Sequence, residues 1–523
     1  MARIATFRLF VTSDIHGHLL PVDYANDTPS NDSLANISSI IKTLRTENSV
    51  LLDLGDSIQG SPLMDYHQQH RMKFENPVAT CLNLMGYDYF IPGNHDFNFG
   101  RKYLEDFIHS IKAKTLCANI LSSNHHYAFG NPYDILELEP GLKIAIIGVT
   151  TQYIPNWENK ETVKDLIFEN ACQVAKDLVQ EVKNNHQVQL IIVAYHGGFE
   201  KDLITFSPYI EDTGENLGSR MLESIPDMDI LITGHQHRTI CQKVRDTIVI
   251  QPMFNGRAVA MIDVEFAKTD TWRRNSINAS LVESKDYLPD DEICSMLEQI
   301  ENSTEKYLDK VLGYVVNNDM TIEDKFMARL KKHKIVTLIN QVQTEKTKAM
   351  ISCCSLGNHV TGFSKEISIR NIFSTYVFPN TLVVLEIDGN NLNKALEKNA
   401  EYFVIEQGEI VSNPKYSFPK KEHYNYDMFD GIDYAIDVAK PFGSRIISLK
   451  YNGTDIHPTD MFTLAMNNYR ATGGGEFSMY RNLKIVKEVQ SDIATMLIEY
   501  VKKHKYISVK DTDNIKVINS GKS

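Results

Sequence analysis

The first half of the chain alternates short apolar runs with stretches in which apolar residues recur every three or four positions. Ser33–Thr46 and Val163–Lys183 have the second pattern, which predicts helices. The short runs predict strands at Phe7–Thr12, Val50–Leu54, Tyr89–Ile91, Lys143–Val149, Leu190–Tyr195, Asp229–Thr233 and Thr247–Gln251. Strands that alternate with helices are typical of α/β domains, in which helices cover layered sheets.

The pattern changes after Phe266. A polar stretch at Lys268–Ser276 is followed by a charged helix that runs from Asp290 to about Leu312, and a long helical stretch covers Ile322–Thr347. Further strands are predicted at Leu382–Ile387, Asp433–Val438, Ile446–Tyr451 and Phe462–Met466, with helices at Asn391–Tyr402 and Gln490–Lys503. We therefore expect a first domain at residues 1–285, a connecting helix or hinge at residues 286–312 and a second domain at residues 313–523.

Composition narrows the class of protein and of partner. Apolar residues make up 42% of the 523 positions, which is enough to build packed cores. The formal net charge of −13 argues against a nucleic-acid partner, because phosphate contacts need a basic face, but it does not exclude a small anionic substrate. No apolar run approaches the length of a membrane helix, so no membrane association is expected.

The N-terminus and the cysteines bear on location. The opening residues MARIATFRLFVTSDIHGH lack a signal-peptide pattern, since Arg8 interrupts the apolar stretch and no small-residue cleavage site follows. The seven cysteines contain no C-x-x-C spacing and are expected to be reduced thiols. For the chain as printed, these features predict a cytoplasmic protein.

Polar side chains of one chemical kind follow five of the predicted strands. They are Asp14 and His16 after the first strand, Asp56 after the second, Asn94 and His95 after the third, His196 after Leu190–Tyr195, and His235 and His237 after Asp229–Thr233. Ligands of open α/β sheets bind beyond the carboxyl ends of the strands. A lone histidine there is usually an ordinary core or surface residue, and Asp14 or Asn94 alone could serve a turn, but five such coincidences favour a metal site.

Two adjacent cations need an anionic group that bridges them, and Asp56 is expected to be that bridge. Asp14, His16 and His237 would complete one site, and Asn94, His196 and His235 would complete the other. Mixed nitrogen and oxygen ligands favour divalent transition metals, with Mn first and Zn, Fe or Co as alternatives. Glycines precede Asp56, Asn94 and His235, which permits tight turns close to the ions.

These blocks resemble those of the calcineurin-like metallophosphoesterase superfamily. From Phe7 to about Val501 the chain is similar to the two-domain family of 5′-nucleotidases and 2′,3′-cyclic-nucleotide 2′-phosphodiesterase/3′-nucleotidases. The resemblance implies an N-terminal four-layer α/β/β/α sandwich and a C-terminal α/β domain that selects the substrate. It also implies an enzyme in which water activated by two divalent metal ions attacks the phosphorus of a nucleotide, which is the expected small-molecule partner.

The resemblance assigns catalytic roles within GNHDFNFG. His95 would stabilise the transition state or protonate the leaving oxygen, and Asn94 would both ligate a metal and donate to phosphate. Asp96 is a candidate catalytic residue, although a role in holding the loop is equally compatible with the pattern. Many 5′-nucleotidases of the family have an aspartate three residues after this histidine, whereas this chain has Asn98. The asparagine resembles the cyclic phosphodiesterase branch.

Two segments of the second half, YNYDMFDGIDYAID and NNYRATGGG, resemble the family's base-binding segments. By position, Tyr426 and Tyr469 would sandwich the nucleobase, and Gly473 and Gly474 would let the ligand approach the backbone. Either tyrosine could instead be an ordinary core or surface residue, a possibility that is stronger for Tyr426.

Two departures bear on the substrate. The stretch Ser352–Phe363 has no arginine where family 5′-nucleotidases carry a phosphate clamp, and Gly475 stands where they usually carry an acidic residue. The missing clamp favours a 2′,3′-cyclic-nucleotide 2′-phosphodiesterase/3′-nucleotidase. A 5′-nucleotidase or nucleotide-sugar hydrolase is the first alternative, followed by a DNA nuclease and by a non-catalytic binding protein. The oligomeric state is left open.

Overall fold

A computed structural model describes residues 3–24, 28–208, 213–317, 319–376, 378, 380–418, 420–481 and 483–521. The chain forms two compact units, Met1–Thr304 and Glu305–Ser523, and their boundary falls inside the segment predicted as a connection. Among the described residues, no helix combines the length and the apolar character needed to cross a membrane. Each unit has its own sheets.

The first unit contains two six-stranded sheets. In spatial order, the first sheet consists of Trp272–Glu283, Ala258–Lys268, Arg3–Thr12, Ser49–Asp53, Tyr89–Phe90 and Lys114–Thr115. The second consists of Thr239–Val244, Thr247–Pro252, Ile230–Thr233, Leu190–His196, Leu142–Thr150 and Tyr133–Glu139. Two small ribbons add Val22–Asp23 with Thr28–Pro29, and Leu166–Phe168 with Ile120–Ser122.

The two sheets share one apolar core. Leu9 and Val11 from the first sheet belong to the same buried cluster as Ile144 and Ile192 from the second. Successive residues of a strand point to opposite faces of the sheet. Ile147, which follows the core residue Ile146, therefore packs in a different cluster that includes helix residues. Phe90 on the first sheet contacts Phe107 of a helix at a ring distance of 5.1 Å. Helices thus cover the outer faces of two packed sheets, which confirms the predicted α/β/β/α layers.

Four helices of the first unit begin with a side-chain cap, provided by Ser33, Ser61, Asn76 and Asn170. Ser33, for example, accepts a hydrogen bond from the Asn36 backbone N–H at the start of the first helix. The helices are Leu34–Leu44, Pro62–His70, Pro77–Met85, Arg101–Ser110, Ala171–His186 and Gly218–Ser224, and Asp291–Leu308 runs across the boundary between the units.

The second unit is built around a five-stranded sheet of Asp427–Asp430, Ile351–Ser355, Met461–Asn467, Thr381–Asp388 and Ile485–Asp492. A four-stranded sheet contains Thr454–Asp455, Ile446–Tyr451, Asp433–Asp437 and Ile515–Ile518. Smaller sheets are Glu366–Ser368 with Val311–Val315 and Tyr506–Ile507, Met320–Thr321 with Gly362–Phe363, and Phe403–Glu406 with Glu409–Ser412. Its helices are Lys325–Leu330, Lys334–Thr347, Ile369–Thr375, Gly389–Ala400, Asn468–Ala471 and Ile493–His504.

Two predicted helical stretches differ most from the structure. The stretch Ile322–Thr347 forms two helices, because Lys332 adopts a left-handed backbone and the His333 side chain caps the second one. The stretch predicted from Val163 forms a helix only from Ala171, where Asn170 is the cap. Leu166–Phe168 pairs instead with Ile120–Ser122 as a strand. In both places a local cap overrides apolar spacing that continues past it.

Candidate metal centre

The strands of the first unit deliver the predicted polar residues to one place. Three parallel strands that end at Thr12, Asp53 and Phe90 lead into the loops of Asp14, Asp56 and Asn94. In the second sheet, parallel strands end at His196 and at Thr233, just before His235 and His237. Parallel strands present their carboxyl ends at the same edge, so the loops converge.

The side chains form two clusters with the predicted partition. Asp14, His16 and His237 offer ligand atoms within 4.8 Å of one another, and so do Asp56, His196 and His235. Asn94 joins the second cluster, since its Oδ1 lies 2.8 Å from His235 Nδ1 and 3.3 Å from His196 Nε2. The structure therefore brings all seven residues predicted as metal ligands together.

Asp56 provides a test of whether cations fit. The carboxylate is fully buried, and its Oδ2 accepts no hydrogen bond although it lies 3.2 Å from His196 Nε2. A buried carboxylate oxygen without a donor costs free energy unless a cation or a donor satisfies it. His16 Nε2 and His237 Nε2 also face each other at 3.1 Å, an arrangement that suits two lone pairs directed at a common ion. These residues fit a pair of divalent ions.

The far nitrogens of three histidines are already engaged. His16 Nδ1 lies 3.0 Å from the Gln59 carbonyl, and His196 Nδ1 lies 2.6 Å from the Leu54 carbonyl. His235 Nε2 lies 2.8 Å from a Glu215 carboxylate oxygen. Because these partners accept hydrogen bonds, each ring keeps a proton on its far nitrogen, and the nitrogen that faces the centre is the one that could bind an ion.

The backbone at the centre is held in an unusual conformation. Five of the seven predicted ligands, namely Asp14, His16, Asp56, His235 and His237, have φ between 51° and 65°. Non-glycine residues rarely adopt this region, and such strain persists mainly at functional sites. Gly93 is required for a different reason, since a Cβ there would lie 2.3 Å from Asp56 Oδ1 and 2.6 Å from His196 Cε1. The loops pack too closely for any larger residue.

The charges at the centre keep ligand atoms available. Burial, together with the charge of His237, lowers the pKa of His16 to about 3, so its ring is neutral. Burial alone would raise the pKa of Asp56, but the facing His196 and His95 hold it well below its usual value. Asp56 in turn raises the pKa of His196 to about 10. The centre thus combines an ionised Asp56 carboxylate with the neutral His16 imidazole, two kinds of ligand that divalent transition metals bind.

Asp96 does not point at the centre, and its prediction as a catalytic residue is corrected here. It is fully buried and accepts backbone N–H bonds from Asp56, Ser57, Ile58 and Gly93 at 2.8–3.1 Å. With both oxygens occupied, the carboxylate ties the two ligand loops together. Asp96 is therefore a positioning residue, which is the second of the two roles expected from the sequence.

His95 lies beside the metal ligands and is half-buried. Its ring centroid lies 5.2 Å from that of His16, and its backbone N–H donates to Asp56 Oδ1 at 2.6 Å. Its Nδ1 lies 2.7 Å from Asn98 Oδ1. The ring is thus oriented next to the predicted metal ligands and is partly exposed.

Of the two predicted base-stacking tyrosines, Tyr469 is half-buried at the start of a short helix, Asn468–Ala471. Its ring lies against the backbone of Gly474, where a Cβ would come within 2.7 Å of the ring atoms. Gly473 has φ +91° and allows the chain to turn back over the ring. This glycine turn therefore shapes the surface around Tyr469.

Tyr426 does not occupy a comparable position, and its prediction as a base contact is corrected here. Its side chain is fully buried and stacks on Tyr402 with ring centroids 4.8 Å apart. Tyr424, two residues earlier in the short helix His423–Asn425, is half-buried instead. Tyr424 packs edge-on to Phe378, whose exposed fraction is 38%.

Arg470 explains how the two predicted segments are joined. The buried guanidinium forms an ion pair with Asp427 at 2.6 Å, and its Nη2 donates to the Tyr424 carbonyl at 3.1 Å. A side chain at Gly475 would lie 2.3 Å from Arg470 Nη1, which leaves no room for an acidic residue. Glu476, the next residue, pairs with Lys398 at 2.5 Å.

Several residues that shape the centre were missed by the sequence analysis. Glu215 holds His235, and Asp53 accepts hydrogen bonds from the Thr12 and Ser57 hydroxyls and from the Gly55 N–H at the base of the Asp56 loop. Asp53 lies within the LLDLGDS run and could have been singled out by its position. Glu215 is remote from every motif, so no local signal identifies it.

Comparison with known proteins agrees with this geometry. The calcineurin-like phosphoesterase family model matches residues 7–239, and that of the 5′-nucleotidase C-terminal domain matches residues 312–482. A 2′,3′-cyclic-nucleotide 2′-phosphodiesterase/3′-nucleotidase of Haemophilus influenzae is 27% identical over 95% of this chain and 84% of its own. A protein of the same name from Salmonella typhimurium is 26% identical over 90% of this chain and 82% of its own.

A solved structure extends the similarity to the whole fold. It is that of a provisionally assigned 5′-nucleotidase from Staphylococcus aureus in complex with alpha-ketoglutarate, and it is 32% identical. The match covers 98% of this chain and 100% of that one, with a TM-score of 0.90. The members of the calcineurin-like group use a dinuclear divalent metal site, for which this chain has two His/Asp clusters. The chain therefore belongs to the two-domain 5′-nucleotidase family of calcineurin-like phosphoesterases and is a metal-dependent phosphoester hydrolase.

Proposed function

We propose that this hydrolase acts on 2′,3′-cyclic nucleotides and 3′-nucleotides. The observation that carries the proposal is that relatives with this name match the chain from end to end, at 27% identity over 95% of its length in Haemophilus influenzae. The sequence Ser352–Phe363 agrees with it, because the segment contains no arginine to grip a 5′-phosphate.

Arg370 does not supply the missing clamp. Its guanidinium forms ion pairs with Asp309 at 2.7 Å and with Glu305 at 2.5 Å, and the residue is only 8% exposed. Charge-assisted pairs of this kind occupy the donors that a phosphate would need. The arginine just downstream of the segment thus has a structural role.

A second candidate function, 5′-nucleotidase, is favoured by one observation. The Staphylococcus aureus protein, which carries a provisional 5′-nucleotidase name, is 32% identical to this chain. Its higher identity keeps this activity as the alternative that the substrate experiment must exclude.

The chain's own residues would divide the catalytic work. Asp14, His16 and His237 would hold one ion, Asn94, His196 and His235 the other, and Asp56 both. Two bound divalent ions neutralise charge on a phosphate and lower the pKa of water. His95, half-buried beside them, would donate a proton from Nε2 to the leaving oxygen, while Nδ1 stays bonded to Asn98. Among the metals, Mn is proposed first and Zn, Fe and Co as alternatives.

The second unit would select the base. Tyr469 and Tyr424 are half-buried tyrosines that Arg470 links through the backbone, and a base can stack on such rings. Tyr426 is left out of this role because its ring is buried against Tyr402.

A substrate panel tests the proposal. Protein reconstituted separately with Mn, Co, Zn and Mg would be assayed against 2′,3′-cAMP, 3′-AMP and 5′-AMP. We expect kcat/KM for 2′,3′-cAMP to exceed that for 5′-AMP by at least about tenfold with the best metal, equivalent to about 1.4 kcal/mol. A preference for 5′-AMP would replace the proposal with the second candidate. The cytoplasmic location is proposed separately, and fractionation of cells with an antibody against the protein would test it.

A further inference from the structure

A partly buried hydrogen-bonded chain leads away from His95. His95 Nδ1 lies 2.7 Å from Asn98 Oδ1, and the Asn98 amide nitrogen donates to a Glu158 carboxylate oxygen. Glu158 follows the short helix Ile154–Asn156 and is 60 positions from Asn98 in sequence. The chain therefore places a carboxylate two hydrogen bonds behind the proposed acid.

The direction of each hydrogen bond follows from chemistry. An ionised carboxylate can only accept, so the amide nitrogen of Asn98 must face Glu158. The amide oxygen then faces His95, and His95 must carry a proton on Nδ1 to donate to it. The remaining nitrogen, Nε2, holds the lone pair in the neutral ring and the transferable proton in the imidazolium.

We propose that Glu158 is a positioning residue that selects the tautomer of His95 through Asn98. Without a carboxylate at residue 158, the Asn98 amide could rotate by 180° and offer its nitrogen to His95 Nδ1. That rotation would move the proton of neutral His95 to Nε2 and leave Nδ1 as the acceptor. At pH values above about 7, the pKa to which burial raises Glu158, its ionised carboxylate excludes this arrangement, because it accepts the amide N–H and cannot donate to the amide oxygen.

The surroundings of Glu158 support a defined position. Its backbone N–H donates to the Ile154 carbonyl at 3.0 Å, and the neighbouring Trp157 ring lies 5.4 Å from the His235 ring. Burial raises the pKa of Glu158, as expected for a carboxyl group removed from most of the solvent. One short segment thus contacts both the proposed acid, through Asn98, and a metal ligand.

This role rests on the proposed function, in which His95 acts as the acid that protonates the leaving oxygen. As water forms a bond to phosphorus, the bond from phosphorus to the leaving oxygen breaks, and that oxygen takes the Nε2 proton of the His95 imidazolium. The proton released by the attacking water passes to solvent, and a solvent proton restores the imidazolium. Nδ1–H remains bonded to Asn98 throughout.

The test compares Glu158→Gln, Asn98→Asp and the double variant that carries both substitutions in the metal-loaded protein. Glutamine can accept or donate, so Glu158→Gln should lose the selection of the tautomer. The two carboxylates that face each other in Asn98→Asp should repel. In the double variant, the carboxylate introduced at position 98 can accept from His95 Nδ1 and from the new glutamine amide, which restores the proton on Nδ1.

The expected readouts separate positioning from folding. We expect kcat for 2′,3′-cAMP to fall about tenfold in Glu158→Gln, which is the size of loss usually seen when a residue that orients a functional side chain is removed. In the double variant, kcat should recover to within about threefold of the wild-type value. For bis(p-nitrophenyl) phosphate, whose leaving group needs no proton, kcat should change less than about twofold. Glu161→Gln, an exposed glutamate in the same segment, is the matched control and should match the wild type on both substrates.

Nuclear magnetic resonance gives a readout independent of turnover. In zinc-loaded, histidine-¹⁵N-labelled protein, with His95→Asn used for assignment, neutral His95 should be the Nδ1–H form in the wild type and a mixture in Glu158→Gln. An unchanged tautomer, equal losses on both substrates, or a double variant no better than the singles would overturn the proposal. If no nucleotide is cleaved, the proposed substrate class fails, whereas the resonance measurement still decides the role of Glu158. If Glu158→Gln does not fold, a comparison of the double variant with Asn98→Asp decides it.

Discussion

The metal centre of the first unit and the tyrosine segments of the second were predicted from motifs of similar length. The predicted metal ligands all lie where they were expected, whereas one of the two predicted tyrosines does not. All seven residues predicted as metal ligands converge. Of the two predicted stacking tyrosines, Tyr469 is half-buried beside its glycine turn and Tyr426 lies in the core. Carboxylate and imidazole groups that meet in a buried place need a cation or hydrogen bonds, whereas a tyrosine packs in a core without any ligand. Motifs of carboxylate and imidazole residues therefore predict a binding site more reliably than motifs that contain tyrosines.

The largest expected effect concerns Asp56, the proposed bridge between the two ions. Asp56→Asn removes the anion placed to bridge the ions, so we expect kcat to fall by at least about 10³-fold, beyond the usual loss on removing a single support of a metal site. Metal content measured by mass spectrometry should fall from two ions toward one or none. The circular dichroism spectrum should stay that of the wild type. Wild-type turnover in a fully metallated variant would contradict the bridging role.

His95 separates chemistry from metal binding. His95→Asn removes the proposed acid but none of the predicted ligands, so kcat should fall about 10²–10⁴-fold. The metal content should stay at the wild-type value. Loss of an ion would instead identify His95 as a ligand and would contradict the division between binding and acid residues within this loop.

Tyr469 tests the second unit by itself. Tyr469→Ala removes one stacking face, worth about 1–3 kcal/mol per base, so KM for 2′,3′-cAMP should rise by roughly 5- to 150-fold. Bis(p-nitrophenyl) phosphate has no base, and its kinetics should remain unchanged. Tyr424→Ala should behave in the same way if it forms the other face. Equal losses on both substrates would indicate that these tyrosines are structural.

Tyr426 should show the opposite behaviour. Truncation of this buried ring by Tyr426→Ala should lower the free energy of unfolding by about 3–5 kcal/mol, as for other buried aromatic residues. Tyr426→Phe keeps the ring and removes a hydroxyl that has no hydrogen-bond partner, so stability should change little. Folded Tyr426→Phe protein should retain the wild-type KM for nucleotides. A raised KM would restore Tyr426 as a base contact.

The smallest expected effect concerns pH. Burial raises the pKa of Glu158 from 4.5 to about 7, so between these values the folded protein holds a proton that the unfolded chain has lost. The free energy of unfolding contributed by this group should therefore fall as pH rises from about 4.5 to about 7. Glu158→Gln should remove this dependence, and Glu161→Gln should preserve it. Chemical denaturation at several pH values measures the difference.

Much of the fold was predictable because its signals are local. Strands such as Leu190–His196 and Thr381–Asp388 were expected within one residue at each end, since apolar runs of that length are buried in sheets. The boundaries of Val163–Lys183 and Ile322–Thr347 were wrong where Asn170 and His333 cap later helices. Periodicity detects an amphipathic face but does not detect where a cap ends it.

The candidate centre was predictable only as a set of ligands. The positions of Asp14, His16, Asp56 and the later histidines after strands determined which side chains meet. The supporting groups were not visible, because Glu215 and Glu158 reach the centre from loops far away in sequence. The role of Asp96 was not visible in the sequence either. Asp96 follows the proposed acid His95 directly, but its own carboxylate accepts hydrogen bonds from four backbone amides.

By itself, the sequence determined the α/β architecture, the chemical kind of the site and the residues that supply its ligands. Only the tertiary structure decided which tyrosine is buried, which carboxylates orient histidines and which asparagine stands between His95 and Glu158. The physical reason is the distance along the chain over which each interaction acts. Burial periodicity and strand-end motifs act over a few neighbouring residues, whereas hydrogen bonds between loops depend on how distant segments pack, and no short pattern encodes that packing.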